Sequence, residues 1–505
     1  MSSKFCAAVA TSVFLAIPFL FPSFFVLAWI AFVPLFWVIE GARIRDALLW
    51  GWLVGGIANL VGFYWLPYTI RVFGGFSYGA SVVIFLLYVL LEAVQFALFA
   101  FFVRIVGFGP LFLFPALLWI AFEFFFPHLF PWHLANTQAG FSTFIQSADL
   151  VGPYGTSFLL VWLSAAIYAR LIRGGGPRRG SLGAAAILGV FVVASLVYGH
   201  LRLSTIAARM AAAPKLALAA VQGNIDVGMK WDPAKLERNL EIYRDLTKKV
   251  TGASLVIWPE TAVEAWLPEQ SRQLPDGILP PLEAGVRDFI FGVRSFRGDL
   301  NSRDFAAFNS AFLADREGKL LGRYHKQVLL AFGEYIPFAG LLSKIPGVPE
   351  LGSFSRGDGA RTLTLSGGAR VAPLICYEDL MPHLSRRFVA EQGAHLLVNL
   401  TNDAWYGRSA APWQHARMAQ WRAIETRRGL VRVTNTGVSA VIDARGIMTQ
   451  TLPLFVPGVL KAEVDLLEGK TPYVRFGDWF AWAATLLAVA LLVSRLVREA
   501  RPSAR

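Results

Sequence analysis

The chain has 505 residues, of which 55% are hydrophobic and only 16% charged, and its mean hydropathy is +0.51. This composition excludes a wholly soluble protein, and the length calls for two regions rather than one core. The formal charge is +13, but the basic residues are scattered over short loops, as membrane topology requires, so we expect no nucleic-acid partner. The two cysteines, Cys6 and Cys376, are expected on opposite sides of a membrane, which leaves no disulfide framework.

Apolar runs of spanning length fill the first two hundred residues and recur once near the end. The eight predicted spans are 5–21, 23–40, 47–66, 79–103, 109–127, 154–172, 181–200 and 479–495. The first run resembles a signal peptide, but a second span follows almost at once without a convincing small-residue cleavage site between them. We therefore expect both to be retained as a helical hairpin.

The distribution of positive charge predicts the orientation of these spans. Basic residues cluster at Lys4, Arg43, Arg45, Arg104, Arg170, Arg173, Arg178, Arg179, Arg495, Arg498, Arg501 and Arg505, whereas the opposite loops, 67–78 and 128–153, carry only Arg71. With eight spans, we expect both termini in the cytoplasm and the segment 201–478 on the outside, which is the periplasm if the cell is a Gram-negative bacterium. The predicted domains are a transmembrane bundle over 1–200, an external domain over 201–478, and a last helix with its tail over 479–505.

The segment 201–478 alternates short β-rich runs with amphipathic stretches, which predicts an α/β domain of layered sheets and helices. The strands are expected at 215–221, 254–258, 289–293, 307–314, 371–376, 395–399, 430–434 and 438–443, and the helices at 233–250, 277–287 and 413–428. The long apolar stretch 331–358 is rich in Gly and Pro and is a candidate lid that touches lipid.

Three strand ends carry reactive groups: Glu260 follows the run 255–258, Lys326 follows 322–325, and Cys376 ends the apolar run 371–375. Each has an ordinary explanation, because a cysteine at such a place is usually packing and single turn carboxylates and lysines are usually structural. Together they are chemically coherent: a buried carboxylate takes the thiol proton, and an ammonium stabilises the thiolate and the oxyanion. A pairing of Cys376 with His325 is a second possibility. No zinc-ligand spacing and no phosphate-binding loop is present, so we expect no metal or cofactor.

The motifs Trp258-Pro-Glu260, Tyr324-His-Lys326 with Phe332-Gly-Glu334-Tyr-Ile-Pro, and Cys376-Tyr-Glu resemble the nitrilase (carbon–nitrogen hydrolase) superfamily and its Glu–Lys–Cys triad. Further motifs extend the resemblance to one membrane-embedded branch, the apolipoprotein N-acyltransferase family. They are Val221-Gln-Gly-Asn224, Lys230-Trp-Asp-Pro, Asn402-Asp-Ala-Trp-Tyr-Gly407, Gln414-His-Ala-Arg-Met and Arg422-Ala-Ile-Glu425.

The resemblance implies a polytopic α-helical membrane bundle joined to an αββα sandwich. It implies transfer of an sn-1 acyl chain from a phospholipid, usually phosphatidylethanolamine, through a cysteine thioester to the N-terminal amine of a diacylated apolipoprotein. Glu260 would be the general base, Lys326 the oxyanion stabiliser and Cys376 the nucleophile, with no cofactor and a monomeric enzyme. Supporting positions implied by the family pattern are Trp231, Glu334, Tyr377 and Glu378.

Two alternatives use the same observations differently. A membrane-anchored amidase or nitrilase would employ the triad to hydrolyse a C–N bond, but it would need neither eight spans nor an apolar lid. A transporter with an accessory domain is disfavoured, because the spans lack paired charges and repeat symmetry. Glu92 and Glu123, which lie within spans, are either functional carboxylates or hydrogen-bonded packing groups.

Overall fold

The computed structural model describes residues 2–172, 179–299, 302, 304–331, 333–335 and 354–500. The chain forms two units: one comprises Met1–Pro67, Gly79–Leu203 and Phe476–Arg505, and the other Tyr68–Tyr78 and Ser204–Arg475. Most of the lid predicted at 331–358 lies outside the described residues.

Apolar helices make up the first unit. They are α1 (Ser2–Leu20), α2 (Val33–Ile39), α3 (Ile44–Gly62), α4 (Leu66–Gly74), α5 (Tyr78–Val106), α6 (Phe114–Phe125), α7 (Ala148–Val151), α8 (Tyr154–Ile167) and α9 (Arg179–Ala212). A 3-10 helix, Pro22–Ile30, precedes α2, and a π-helical turn, Tyr168–Ile172, extends α8. Helix α4 runs into the second unit, because that unit begins at Tyr68.

Seven segments of the described chain are long and apolar enough to cross a membrane. They are Ser3–Leu20, Pro22–Ile39, Ile44–Gly62, Tyr78–Val106, Tyr154–Ile172, Gly183–Ala212 and Trp479–Arg498. The span predicted at 109–127 contains only the 12-residue helix α6, which is about 18 Å long at 1.5 Å per residue. The left-handed backbone at Gly109 and Leu111 keeps the helix from starting earlier. The predicted count of eight spans is therefore not confirmed.

The two carboxylates inside the apolar helices are hydrogen-bonded. Glu92 of α5 lies 2.7 Å from Nδ1 of His128. Glu123 of α6 accepts hydrogen bonds of 2.7 Å from the indole N–H of Trp119 and from the backbone N–H of Leu134. These contacts hold the loop after α6 against α5 and α6, so both carboxylates have a packing role within this unit.

Two β-sheets form the second unit. The first has the order β13-β1-β2-β4-β5-β6, with β3 paired to β4, and the second has the order β12-β11-β10-β9-β8-β7. The strands are β1 (Lys215–Gln222), β2 (Leu255–Ile257), β3 (Val263–Pro268), β4 (Asp288–Arg297), β5 (Ala306–Asp315), β6 (Leu320–His325), β7 (Leu363–Thr364), β8 (Arg370–Ile375), β9 (Leu396–Thr401), β10 (Gly429–Thr434), β11 (Ala440–Ile442), β12 (Met448–Thr451) and β13 (Gly458–Asp465).

Helices cover the outer faces of these sheets. They are α10 (Leu236–Thr247), α11 (Pro382–Gln392) and α12 (Ala411–Thr426). Two more helices, α13 (Pro472–Phe476) and α14 (Trp479–Ala500), end the described chain, and α14 belongs to the first unit. Helix α10 packs on β1 and β13, α11 on β8, and α12 on β10 and β11, whereas β1 faces β10 and β5 faces β8 across the middle. The layers are thus helix, sheet, sheet and helix, which confirms the predicted α/β sandwich.

The helix predicted at 277–287 is wrong. The residues form turns and irregular backbone, because Pro280 and Pro281 remove two backbone donors and Gly277 is left-handed with φ 82°.

The registers of the parallel strands decide which residues meet at the site. Ile375 pairs with Leu400 and Thr401 with Thr434, so β8, β9 and β10 end together and deliver the residues that follow them to one edge.

Candidate active site

Glu260 lies on a tight turn at the end of β2. The next residue, Thr261, has the left-handed φ of 48°, and Lys230 holds it by donating to its backbone oxygen at 3.1 Å and its hydroxyl at 3.2 Å. Gly292 of β4 passes directly beneath the turn: a Cβ there would be 2.4 Å from the oxygen of Pro259 and 2.7 Å from Cα of Glu260. A glycine at this point therefore allows the carboxylate to take its position.

Lys326 lies between two buried carboxylates. Its Nζ is 2.7 Å from Glu334 and 3.9 Å from Glu260, and only 1% of the lysine is exposed. The amide of Asn309, on β5, donates to both carboxylates, at 2.7 Å to Glu260 and 3.0 Å to Glu334. Glu334 also accepts the backbone N–H of Leu330 at 2.9 Å. The four side chains form one hydrogen-bonded group.

Cys376 begins the short 3-10 helix Cys376–Leu380 immediately after β8. Its φ is 52°, a left-handed conformation that is strained for a residue with a side chain and is often found at functional sites. Asn399, on β9, donates to the backbone oxygen of Cys376 at 2.9 Å. The residue as a whole is partly exposed, although its thiol lies among buried charged groups.

The three groups named by the sequence interact electrostatically. Burial raises the pKa of Cys376 well above its ordinary value; Glu260 and Glu334 raise it further, and Lys326 lowers it. Burial also raises the pKa of Glu260, against the opposing effect of Lys326. For Lys326, burial lowers the pKa, but Glu334, Cys376 and Glu260 together outweigh burial and raise it. These shifts favour a neutral thiol at Cys376 and a charged ammonium at Lys326.

Glu378 links the turn after β8 to the segment after β6. Its carboxylate accepts the hydroxyl of Tyr324 and the backbone N–H groups of Gln327, Val328 and Ile375, at 2.7 to 3.0 Å. Burial raises its pKa to about 7, although the backbone donors and Lys326 oppose that shift. Glu378 therefore ties the backbone just after Lys326 to the backbone just before Cys376.

The other two supporting residues predicted from the sequence are Tyr377, which follows Cys376, and Trp231, which follows the lysine that holds the Glu260 turn. Tyr377 is buried and adjacent in the chain to Cys376. Trp231 donates its backbone N–H to Glu264 at 2.7 Å, and its ring lies 3.9 Å from the guanidinium of Arg294. Trp231 is thus fixed on the β3–β4 side of the Glu260 turn, one residue after Lys230.

The alternative base His325 faces another set of residues. It is 2.7 Å from the hydroxyl of Ser310, stacks on Phe308 and faces Glu269, and burial lowers its pKa to about 4. Its position gives no support to a Cys–His pair. Within the described part of the chain, no group of three or more His, Cys, Asp or Glu residues could hold a metal ion.

Sequence reasoning missed Asn309, Gly292 and the role of Lys230. Asn309 and Ser310 interrupt an otherwise apolar strand, Ala306–Asp315, and a buried amide in such a strand must find partners; this was the available signal. Gly292 likewise interrupts the apolar strand β4, where glycine marks a close backbone approach.

Comparison with known proteins agrees with this geometry. The model of the carbon–nitrogen hydrolase family matches residues 217–470, and that of the apolipoprotein N-acyltransferase N-terminal domain matches residues 11–166. The chain is 37% identical over 506 residues to the apolipoprotein N-acyltransferase of Geobacter metallireducens, covering 97% of this chain and 94% of the relative. It is 35% identical to that of Azotobacter vinelandii, covering 94% and 91%, and 32% identical to that of Pseudomonas paraeruginosa, covering 95% and 93%. The chain is therefore a membrane protein that belongs to the apolipoprotein N-acyltransferase family.

Proposed function

We propose that this protein transfers an acyl chain from a phospholipid to the N-terminal amine of a diacylglyceryl-cysteine in an apolipoprotein, through a thioester on Cys376. The observation that carries the proposal is the buried group of Glu260, Lys326, Glu334 and Asn309, whose charges act on the thiol of Cys376. Membership of the family supplies the substrate classes.

In the first half-reaction, Glu260 accepts the thiol proton and Sγ of Cys376 attacks the carbonyl carbon of the donor ester. The carbonyl oxygen becomes an oxyanion, which the ammonium of Lys326 stabilises. Lys326 stays charged because the two carboxylates raise its pKa. The C–O bond then breaks, and the leaving lysophospholipid oxygen takes the proton from Glu260.

In the second half-reaction, the α-amine of the acceptor attacks the thioester carbonyl. Glu260 takes a proton from the amine as the tetrahedral intermediate forms, and it returns that proton to Sγ when the C–S bond breaks. A ping-pong order suits two bulky lipid substrates, because the two need not occupy the site together.

The finer assignments are part of the same proposal. Phosphatidylethanolamine is the donor and the enzyme acts as a monomer.

Residues 1–200 and 479–505 form the part in the inner membrane, and the catalytic domain, 201–478, is periplasmic with both termini cytoplasmic. Since α6 is short, this orientation requires residues flanking α6 to complete one crossing. A reporter that is active only outside the cytoplasm, fused to the C-terminus, tests this orientation. We expect the fused reporter to be inactive, and an active reporter would refute the orientation.

Acyl transfer to a synthetic diacylated lipopeptide tests the reaction. The purified protein with phosphatidylethanolamine vesicles should convert the lipopeptide to its triacylated form, and Cys376→Ser should abolish the conversion. Glu260→Gln should also stop it, since the thiol then has no base. Release of free fatty acid without lipopeptide acylation would favour hydrolysis instead, and full transfer by Cys376→Ser would remove the cysteine from the mechanism.

A further inference from the structure

Four buried charged side chains form a closed ring next to the turn that begins with Cys376. His415 of α12 contacts Asp379 at 2.8 Å through Nε2 and Asp403 at 2.9 Å through Nδ1. Arg432 of β10 completes the circuit, with an ion pair to Asp379 and one of 3.4 Å to Asp403. At most 3% of any of the four residues is exposed. We refer to Asp379, His415, Asp403 and Arg432 as the charge ring.

The geometry defines the protonation state of His415. Both ring nitrogens lie within hydrogen-bond distance of carboxylate oxygens, and an ionised carboxylate can only accept. A neutral imidazole has one donor and one acceptor nitrogen, so it would leave a lone pair facing a buried carboxylate. Only the imidazolium satisfies both contacts. The charge ring then holds two negative and two positive charges and is neutral.

The charge ring joins the elements that present Cys376. Asp379 belongs to the same 3-10 helix as the cysteine, Cys376–Leu380, and Asp403 starts the corresponding turn after β9, Asp403–Tyr406. His415 comes from the helix packed on both turns, and Arg432 comes from β10, the neighbour of β9 in the sheet. The ring therefore fixes the segment in which Cys376 has its left-handed backbone.

The charge ring and the thiol of Cys376 both act electrostatically on Tyr406. Tyr406, whose ring is 6.2 Å from that of His415, has a raised pKa because of its burial and then of Cys376, Asp403 and Asp379. One residue thus lies within the influence of both the thiol and the ring carboxylates. Loss of the proton from His415 would leave a net negative charge in this low-dielectric region, which disfavours both thiolate and oxyanion.

We propose that the charge ring is a positioning device for Cys376 that works only while His415 is an imidazolium and the ring is electrically neutral. This inference rests on the proposed nucleophilic role of Cys376. The groups that face His415 are Asp379, Asp403, Arg432 and Tyr406. Burial lowers the pKa of His415, but the two aspartates outweigh burial and the charge of Arg432, and they raise it to about 9.

A charge-restoring pair of variants tests the proposal. The rate of acyl-enzyme formation is measured in a single turnover by intact mass, with phosphatidylethanolamine vesicles and no acceptor. His415→Gln leaves one uncompensated negative charge and should slow the step at least about tenfold, the effect of a rise of one in the thiol pKa. The double variant His415→Gln with Asp403→Asn is neutral again and should recover most of the rate.

The matched control is His395→Gln, at a partly exposed histidine of the same unit, which should keep the wild-type rate. A double variant that is as slow as His415→Gln, with both proteins folded, would overturn the role of charge balance. A wild-type rate in His415→Gln would overturn the positioning role altogether.

Two measurements on the unaltered chain keep the proposal testable if the variants do not fold. The chain has seven histidines, and in protein carrying ¹³Cε1-histidine one signal should keep its imidazolium shift at pH 8 and titrate near 9. The acyl-enzyme rate should fall over the same range, whereas ionisation of a thiol would make it rise. If all seven histidine signals show the neutral imidazole at pH 8, the proposal fails. If wild-type protein forms no adduct at all, the proposed function fails, while the histidine signal still reports on the charge ring.

Discussion

Gly292→Ala should disable the site without touching a reactive side chain. The added Cβ would lie 2.4 Å from the oxygen of Pro259, 2.5 Å from the nitrogen of Thr261 and 2.7 Å from Cα of Glu260. Carbon atoms pack at about 3.5 Å or more, so the turn must move by roughly 1 Å. All three atoms are backbone, and no flexible side-chain end can yield in their place. A displacement of about 1 Å from the productive geometry costs on the order of 10²-fold in rate.

The assay is single-turnover formation of the acyl-enzyme with phosphatidylethanolamine, followed by intact mass. Gly285→Ala is the control, because the nearest atom to its added Cβ is 3.7 Å away, an ordinary contact. We expect Gly285→Ala to match the wild type and Gly292→Ala to fall by about two orders of magnitude. A Gly292→Ala protein within twofold of the wild type, correctly folded, would refute the claim that the position of the Glu260 turn limits catalysis.

Three further perturbations follow from the buried contacts. Asn309→Ala removes the amide that bridges Glu260 and Glu334, and it should slow acyl-enzyme formation by tenfold or more, the equivalent of about 1.4 kcal/mol; an unchanged rate would mean that the bridge is dispensable. Lys326→Met leaves two buried carboxylates without their cation, so it should abolish transfer and destabilise the fold by roughly 3–5 kcal/mol, seen as a lower thermal midpoint in detergent that rises again on acidification. For His415, the pKa of about 9 lies above its ordinary value of 6.5, so its stabilisation is complete below pH 6.5 and is lost as the pH rises through 9. The thermal midpoint of the wild type should fall over that range, and a fall of the same size in His415→Gln would exclude this histidine as the cause.

The three residues proposed for catalysis could be predicted as a group because each follows a strand that the apolar pattern reveals. Glu260, Lys326 and Cys376 are separated by long stretches of chain, yet parallel strand ends meet at one edge, and the family motifs indicated which residues to choose. What the sequence could not supply is the distance between them, which depends on sheet order and register. Of the predicted supporting residues, the structure brings Glu334 into direct contact with Lys326.

The residues that could not be predicted from the sequence are important because of the groups that contact them in the folded chain. Gly292 is significant only because the Glu260 turn crosses it, and the charge ring joins Asp379 to residues from three other elements. The partners of these residues are specified by tertiary packing, so the local sequence indicates at most that Gly292 allows a close approach. The helix predicted at 277–287 failed for a local reason, since its prolines outweigh its amphipathic pattern. The span predicted at 109–127 is not confirmed at its full length, because α6 starts only after residues with positive φ.

Peptide mapping of the acyl adduct tests the central claim most directly. The protein is incubated with phosphatidylethanolamine that carries different chains at sn-1 and sn-2, quenched without acceptor, digested and analysed by mass spectrometry. The account predicts the sn-1 chain on the peptide that contains Cys376, labile to hydroxylamine and discharged when the diacylated lipopeptide is added. A peptide that stays unmodified while the lipopeptide is still acylated would contradict it.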